Sequence, residues 1–261
     1  MKASIAQIAA IAAAVGLGAT LIAIANSSQA PQKSGGLDEK AVEEIVARYI
    51  AEHPEAIIES VNAYAQKEQA RAAEGAKVAA KDHLKTLMAA ESGFIAGKAP
   101  ERAKVVVVEF FDYQCGFCKK ATDTVLALTK SDPEVMVSFR EFPILSEESA
   151  AAATFALASR EQGKYQDFHA ALMRHSGRLD AVALKAISDQ VGLDPVKLNE
   201  ARKNRRIPEI LEENMRIAAD LRLEGTPGFI VATTDGSFIE VIDGWRPEQL
   251  QDAIKAAKKA G

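Results

Sequence analysis

One run of residues leaves little choice of fold. Lys104-Val105-Val106-Val107-Val108-Glu109-Phe110-Phe111 is β-branched and aromatic almost throughout and shows no alternation of polar and apolar positions. A strand with one wet face alternates, so a continuous run of this kind predicts a central strand covered on both faces. A helix is expected from about Gly116 to Thr129. Val135-Met136-Val137-Ser138-Phe139-Arg140 then reads as a second strand, completing a βαβ unit. Glu147 to about Leu223 has helical patterning, punctuated near Gly163, Gly177, Gly192-Leu193-Asp194-Pro195 and Pro208. Gly228 to Thr233 and Ser237 to Ile242 flank Asp235-Gly236, a hairpin signal. Pro247 to Lys259 closes as an amphipathic helix. The fold class is α/β, with a helical block between the first βαβ unit and a final ββα unit.

The chain has two cysteines among 261 residues, Cys115 and Cys118. That excludes a disulfide-stapled scaffold and an all-cysteine zinc site. The pair sits where the buried strand turns into a helix. Unpaired backbone N–H groups and the positive end of the helix dipole favour a thiolate there, and the thiolate is the nucleophile of disulfide exchange. The second cysteine, one turn deeper, can attack a mixed disulfide and release the product. A purely structural bridge is a poor alternative, because so short a loop yields only about 2 kcal/mol. Half a zinc site would need two further ligands from the histidines at 53, 83, 169 and 175, which lack ligand spacing. His169 and His175 read as ordinary core or surface residues. Glu109 is the lone acid of the buried strand, so its pKa should rise and it can accept or donate a proton.

Lys2 is the only charge before Lys33, and Ala3 to Ala25 is uncharged. Residues 1–30 therefore read as a cleaved secretory signal or an N-terminal membrane anchor, either of which places the cysteines in an exported, oxidising space. Residues 31–36 continue a Ser-, Gln-, Pro- and Gly-rich linker that starts at Asn26. Residues 37–91 read as a helical arm. Leu37, Ala41, Val42, Ile45, Val46, Tyr49 and Ile50 fall on one face, with Asp38 as the candidate N-cap. Pro54 breaks or restarts the helix, Ile57, Ile58, Val61 and Tyr64 extend the stripe, and Gly75 is a candidate hinge. The stripe must be covered, by self-association or by folding back on its own domain. A formal net charge of −4 and a short Arg202–Arg206 cluster without interleaved aromatics argue against nucleic acid.

Glu109-Phe110-Phe111-Asp112-Tyr113-Gln114-Cys115-Gly116-Phe117-Cys118-Lys119 resembles the active-site segment of the DsbA-like thioredoxin-fold family. Gly225-Thr226-Pro227-Gly228-Phe229 resembles its cis-proline loop. Glu141-Phe142-Pro143 and the stretch Gln162-Gly163-Lys164-Tyr165 to His169 fit as well. The resemblance runs from about residue 93 to 258. The arm, with His53-Pro54-Glu55, is similar to that of the ScsC-like subgroup, whose members are exported, oligomerise through the arm, and are linked to disulfide isomerisation and copper tolerance.

The resemblance implies a thioredoxin-like domain over 92–145 and 224–261, interrupted by an inserted helical domain over 146–223. It implies Cys115 as attacking and Cys118 as resolving cysteine, Glu109 as a buried acid serving the resolving cysteine, and Pro227 as a cis-proline. Thr226 would offer its backbone to an extended substrate. Gly116 and Phe117 would tune the pair. Phe117 stands where strongly oxidising members carry histidine and cannot hydrogen-bond the thiolate through its side chain. A less depressed thiol pKa and a less oxidising couple are therefore expected. The implied activity is protein disulfide oxidoreduction, tilted toward an isomerase or reductase. A dithiol oxidase and a Cu(I)-binding thiol protein are the alternatives. The implied partners are exported cysteine-containing proteins, a membrane redox partner, and two or three copies of the chain joined through the arm. No cofactor beyond the redox-active cysteine pair and no resident metal is expected.

Overall fold

The computed structural model describes residues 38–261. The expected leader and linker lie outside the described residues. Among those described, no helix is long and apolar enough to cross a membrane. The chain divides into two units between Ile58 and Glu59.

The first unit holds helix α1 (Glu39–Glu52) and the start of α2 (Pro54–Leu87). The break falls at His53, ahead of Pro54, because proline has no N–H to continue the ladder but suits the first position of a new helix. Asp38 occupies the N-cap position of α1 without a side-chain capping bond. Val42, Ile45, Val46, Tyr49, Ile50, Ile57 and Ile58 are all exposed.

The second unit is a five-stranded sheet with helices on both faces. Its strands are β1 (Phe94–Gly97), β2 (Val105–Phe111), β3 (Val135–Glu141), β4 (Gly228–Thr233) and β5 (Ile239–Asp243), in the spatial order β1-β3-β2-β4-β5. As its sequence requires, β2 is central and every residue of it is buried. It runs parallel to β3, Val105 opposite Val135, and antiparallel to β4, Glu109 opposite Phe229. Helix α3 (Gly116–Ser131) makes the crossover between β2 and β3. Between β3 and β4 lie α4 (Glu147–Ser159), α5 (Tyr165–Arg174), α6 (Ala181–Gln190), α7 (Pro195–Ala201) and α8 (Arg206–Asp220), the inserted helical block. Helix α9 (Pro247–Ala260) closes the chain.

Residues of β2 alternate between two cores. Val105, Val107 and Phe111 pack with α3, α5 and α9. Val106, Val108 and Phe110 pack with α8 and the last turns of α2. This corrects the expected extent of the arm. Ala76, Ala80, Leu84 and Leu87 are buried, so the end of α2 belongs to the core and not to an arm reaching residue 91. The Ala- and Lys-rich sequence hides this, because spacings of four, four and three leave only a narrow apolar stripe of two alanines and two leucines. Gly75 does not interrupt the helix. Arg140, fully buried in β3, fixes the turn that follows α2. Its guanidinium donates to the carbonyls of Thr86 and Ser92, and its Nε donates to Ser138 Oγ at 3.1 Å.

Candidate active site

The four residues between β2 and α3 form a tight turn. The Cys115 N–H donates to the Asp112 carbonyl at 3.0 Å. Cys115 is then the N-cap of α3, and its own sulfur takes the capping role, accepting from the Cys118 N–H at 3.3 Å. A helix N-terminus favours negative charge at this place. The sulfur's other neighbour is the Thr226 carbonyl, to which the thiol donates at 3.1 Å. The Thr226–Pro227 peptide is cis. The loop is held close by Gly228, where a Cβ would lie 2.7 Å from Leu223 Cδ1.

Both cysteines are free thiols, yet their environments are opposite. Cys115 is 7% exposed and Cys118 is fully buried. The Cys115 pKa is lowered from 9.0 to about 5, chiefly by the Cys118 thiol donating to it, then by the Thr226 side chain and the backbone N–H groups of Cys118 and Phe117; partial burial opposes this. Burial pushes Cys118 far above the ordinary thiol value, and the neighbouring Cys115 and Glu109 push the same way. Phe117 is 58% exposed, with the Lys120 ammonium 5.0 Å from its ring centre, and its contribution to Cys115 is a backbone N–H. Gly116, also exposed, has open space where a side chain would sit.

Glu109 lies in β2 on the face that carries Val107 and Phe111. It is 1% exposed, and its Oε1 has no hydrogen-bond partner. Burial, followed by the charge on Cys115, raises its pKa from 4.5 to about 8. The carboxyl therefore holds its proton to near neutrality, and the charges of Glu109 and the two sulfurs act on one another.

The structure adds a second buried polar group that sequence reasoning passed over. Glu141 Oε1 accepts from Tyr113 at 2.9 Å and from Tyr165 at 2.7 Å. Tyr113 also lies 3.2 Å from His169 Nδ1, and Asn214 Nδ2 donates to the Glu141 carbonyl at 3.1 Å. Burial raises Glu141 to about 8 and lowers His169 to about 3, so His169 is a neutral core residue. These groups are 24 to 73 positions from Glu141 in sequence, so no local pattern could have joined them. Among the described residues, no group of three or more His, Cys, Asp or Glu is placed to hold a metal ion.

The chain is similar to known proteins. Residues 106–255, more than half of the chain, match the DSBA-like thioredoxin domain family. A thioredoxin-like oxidoreductase from Silicibacter pomeroyi is 38% identical, and the alignment covers 67% of this chain and 97% of that one with a TM-score of 0.61. Salmonella enterica Typhimurium BcfH is 30% identical, covering 84% and 95%, with a TM-score of 0.71. The catalytic domain of Proteus mirabilis ScsC, at 21% identity and a TM-score of 0.59 over 69% and 97%, shares the fold. Among curated relatives, the Na(+)/H(+) antiporter NhaA 1 of Salinispora arenicola is 29% identical over 136 residues, and the match covers 51% of this chain but only 21% of that protein. With its thioredoxin-like sheet, inserted helices and cysteine pair at the start of α3, the chain belongs to the DsbA-like thioredoxin-fold oxidoreductase family.

Proposed function

We propose that the protein is an exported thiol-disulfide oxidoreductase. It exchanges disulfides with unfolded or misfolded exported proteins through Cys115 and Cys118 and works as a disulfide isomerase or reductase. The observation that carries this reading is the placement of two thiols within one helical turn, with the Cys115 sulfur capping the N-terminus of α3 and accepting from the Cys118 N–H, and the Cys118 thiol fully buried beneath it. At neutral pH Cys115 is a thiolate with a small exposed area, while Cys118 holds its proton in the interior. The Cys115 thiolate attacks one sulfur of a substrate disulfide. An S–S bond forms to Cys115 and the substrate S–S bond breaks, releasing a substrate thiolate. For reduction, the mixed disulfide removes the Cys115 charge that helps keep Glu109 protonated, the ionised fraction of Glu109 takes the Cys118 proton, and the Cys118 thiolate attacks the Cys115 sulfur. The Cys115–Cys118 disulfide forms and the second substrate thiolate leaves, so the substrate gains two electrons and the pair loses two. In isomerisation the released substrate thiolate, or another thiol of the substrate, attacks instead, and the pair ends reduced. Thr226, whose carbonyl touches the Cys115 sulfur, offers backbone to an extended substrate segment beside the reacting atoms.

One feature supports the isomerase or reductase direction. Val42, Ile45, Val46, Tyr49 and Ile50 of α1 are exposed apolar residues that a second or third copy of the chain can cover. An oligomer then presents several cysteine pairs to one misfolded substrate. Replacing Ile45 and Val46 with Asp should abolish association in sedimentation while leaving the reaction with a small disulfide unchanged.

The direct test is reactivation of scrambled, fully oxidised ribonuclease in a glutathione buffer. Strong reactivation is expected. Rapid oxidation of reduced ribonuclease without reactivation would make the protein a dithiol oxidase. Failure at both, with stoichiometric Cu(I) binding to the reduced pair, would move the function to metal binding.

A further inference from the structure

Asp112 is buried, and its side chain touches neither catalytic sulfur; its backbone hydrogen-bonds Cys118, while its carboxylate links the turn that ends on Cys115 to the segments packed beside it. Its Oδ1 accepts from the Gln114 N–H at 2.7 Å and from Ser149 Oγ at 2.7 Å, and its Oδ2 accepts from the Leu145 N–H at 3.0 Å. Its carbonyl accepts from the Cys115 N–H at 3.0 Å. Gln114 adds a parallel link, with Nε2 donating to Ser146 Oγ at 2.6 Å, and Ser146 in turn caps α4 through the Ser149 N–H at 3.1 Å. One side chain thus ties together three pieces of chain, namely the Asp112–Cys115 turn, the segment after β3, and the first turn of the inserted block. The bonds need an acceptor at both oxygens, which a carboxylate provides and an amide does not. A buried carboxylate is no better for stability than a well-packed apolar side chain, so this arrangement points to a demand for fixed geometry.

We propose that Asp112 is a positioning residue for the exchange reaction. It holds the Cys115 turn against residues 143–149 so that the sulfur stays at the N-terminus of α3 and beside Thr226. The proposal deepens the disulfide-exchange reading and rests on it for its meaning in turnover, while its effect on the Cys115 thiol is measurable without any substrate. The sign of that effect separates the two ways Asp112 can act. If it acts as a charge near the thiolate, neutralising it eases ionisation and the Cys115 midpoint falls. If it acts by position, loosening the turn takes the sulfur away from the Cys118 N–H and the helix end, and the midpoint rises. The other titratable groups facing this region are Glu109 of β2, Tyr113 of the turn, Cys118 of α3, Glu141 of β3, and Tyr165 and His169 of α5, and the substitution leaves all of them in place.

The test is the rate of Cys115 alkylation by iodoacetamide against pH in the reduced, full-length protein, for the wild type, Asp112→Asn and Ser149→Ala, with a thermal melt of each. In Asp112→Asn an amide donor faces the Leu145 N–H. The midpoint should rise by about one unit, slowing alkylation at pH 5 about fivefold while the plateau near pH 8 stays put. Ser149→Ala, which removes one of the three donors at little change in volume, should shift the same way by less. It decides the matter alone if Asp112→Asn does not fold. A lower melting temperature with an unchanged or lowered midpoint would overturn the proposal and leave Asp112 a structural residue. A wild type that alkylates with a low midpoint but exchanges no disulfides would sink the functional reading instead, with the positioning of Cys115 still decided by the shift.

Discussion

The two faces of β2 use the same backbone for different purposes. On one face Val106, Val108 and Phe110 meet Leu84, Leu87, Ile217 and Leu221. On the other, Val107 and Phe111 share space with Glu109, the Cys118 thiol, and the neighbouring Glu141, Tyr113, Tyr165 and His169. The first face is mainly hydrophobic burial, worth roughly 25 cal/mol per Å² of apolar surface. The second accepts the cost of burying titratable groups, and they are gathered at the end of the strand where Cys115 begins α3. The comparison teaches that stability and chemistry are divided by side-chain alternation along a single strand.

Substitutions on each face can sharpen or break this division. The largest effect should come from Cys115→Ala, which removes the nucleophile and should lower exchange by more than about a thousandfold with little change in melting temperature. Cys118→Ser should instead accumulate mixed disulfides with substrate, visible on non-reducing gels.

Phe110→Ala, on the apolar face, should destabilise by roughly 3–5 kcal/mol in chemical denaturation. The Cys115 midpoint should not move. A moved midpoint would mean that the two faces are coupled and the division is wrong.

Glu109→Gln keeps the volume and removes the proton carrier. Resolution of the mixed disulfide should slow by roughly tenfold to a hundredfold near pH 7, measured by stopped-flow thiol release. Stability should change in the opposite sense. Glu109 has a folded pKa raised from 4.5 to about 8, so the folded state holds a proton that the unfolded state gives up in that window, and wild-type stability falls as pH rises through it. The Gln variant lacks this loss. Its advantage should be near zero at pH 4, grow to pH 8, and level off above. A constant difference across pH would show that Glu109 is ionised in the folded state.

The smallest effect belongs to Tyr165→Phe. It removes one of two donors to Glu141 Oε1 and should cost about 1 kcal/mol. Because that hydrogen bond opposes the rise in the Glu141 pKa, Glu141 should hold its proton to higher pH, which infrared titration of the carboxyl band can follow.

Much of this division is legible in the sequence. The unbroken run from Val105 to Phe111 announces the central strand, the lone acid in it marks Glu109 as buried, and the cysteines just after it read as a helix N-terminus. The hairpin around Asp235-Gly236 and the break at Pro54 are local turn chemistry. Other parts depend on distance. Strand β1 has only four residues, Phe94–Gly97, too short to show a period. The burial of Ala76, Ala80, Leu84 and Leu87 is written in two alanines and two leucines within a stretch that is otherwise rich in Ala, Lys, Glu and Gln. Asp112 is visible in the sequence only as a member of the Glu109–Lys119 segment, and its contacts depend on Leu145 and Ser149, which lie 33 and 37 positions away. Glu141 stands at the end of a strand whose solvent side cannot be read from alternation.

The most direct measurement of the central claim is the thiolate ultraviolet absorbance of the reduced protein across pH. The account predicts one thiolate appearing with a midpoint near 5, and no second thiolate until pH is well above the ordinary thiol range. Two thiolates appearing together near pH 9 would contradict it, because the pair would then lack the asymmetry on which the proposed exchange depends.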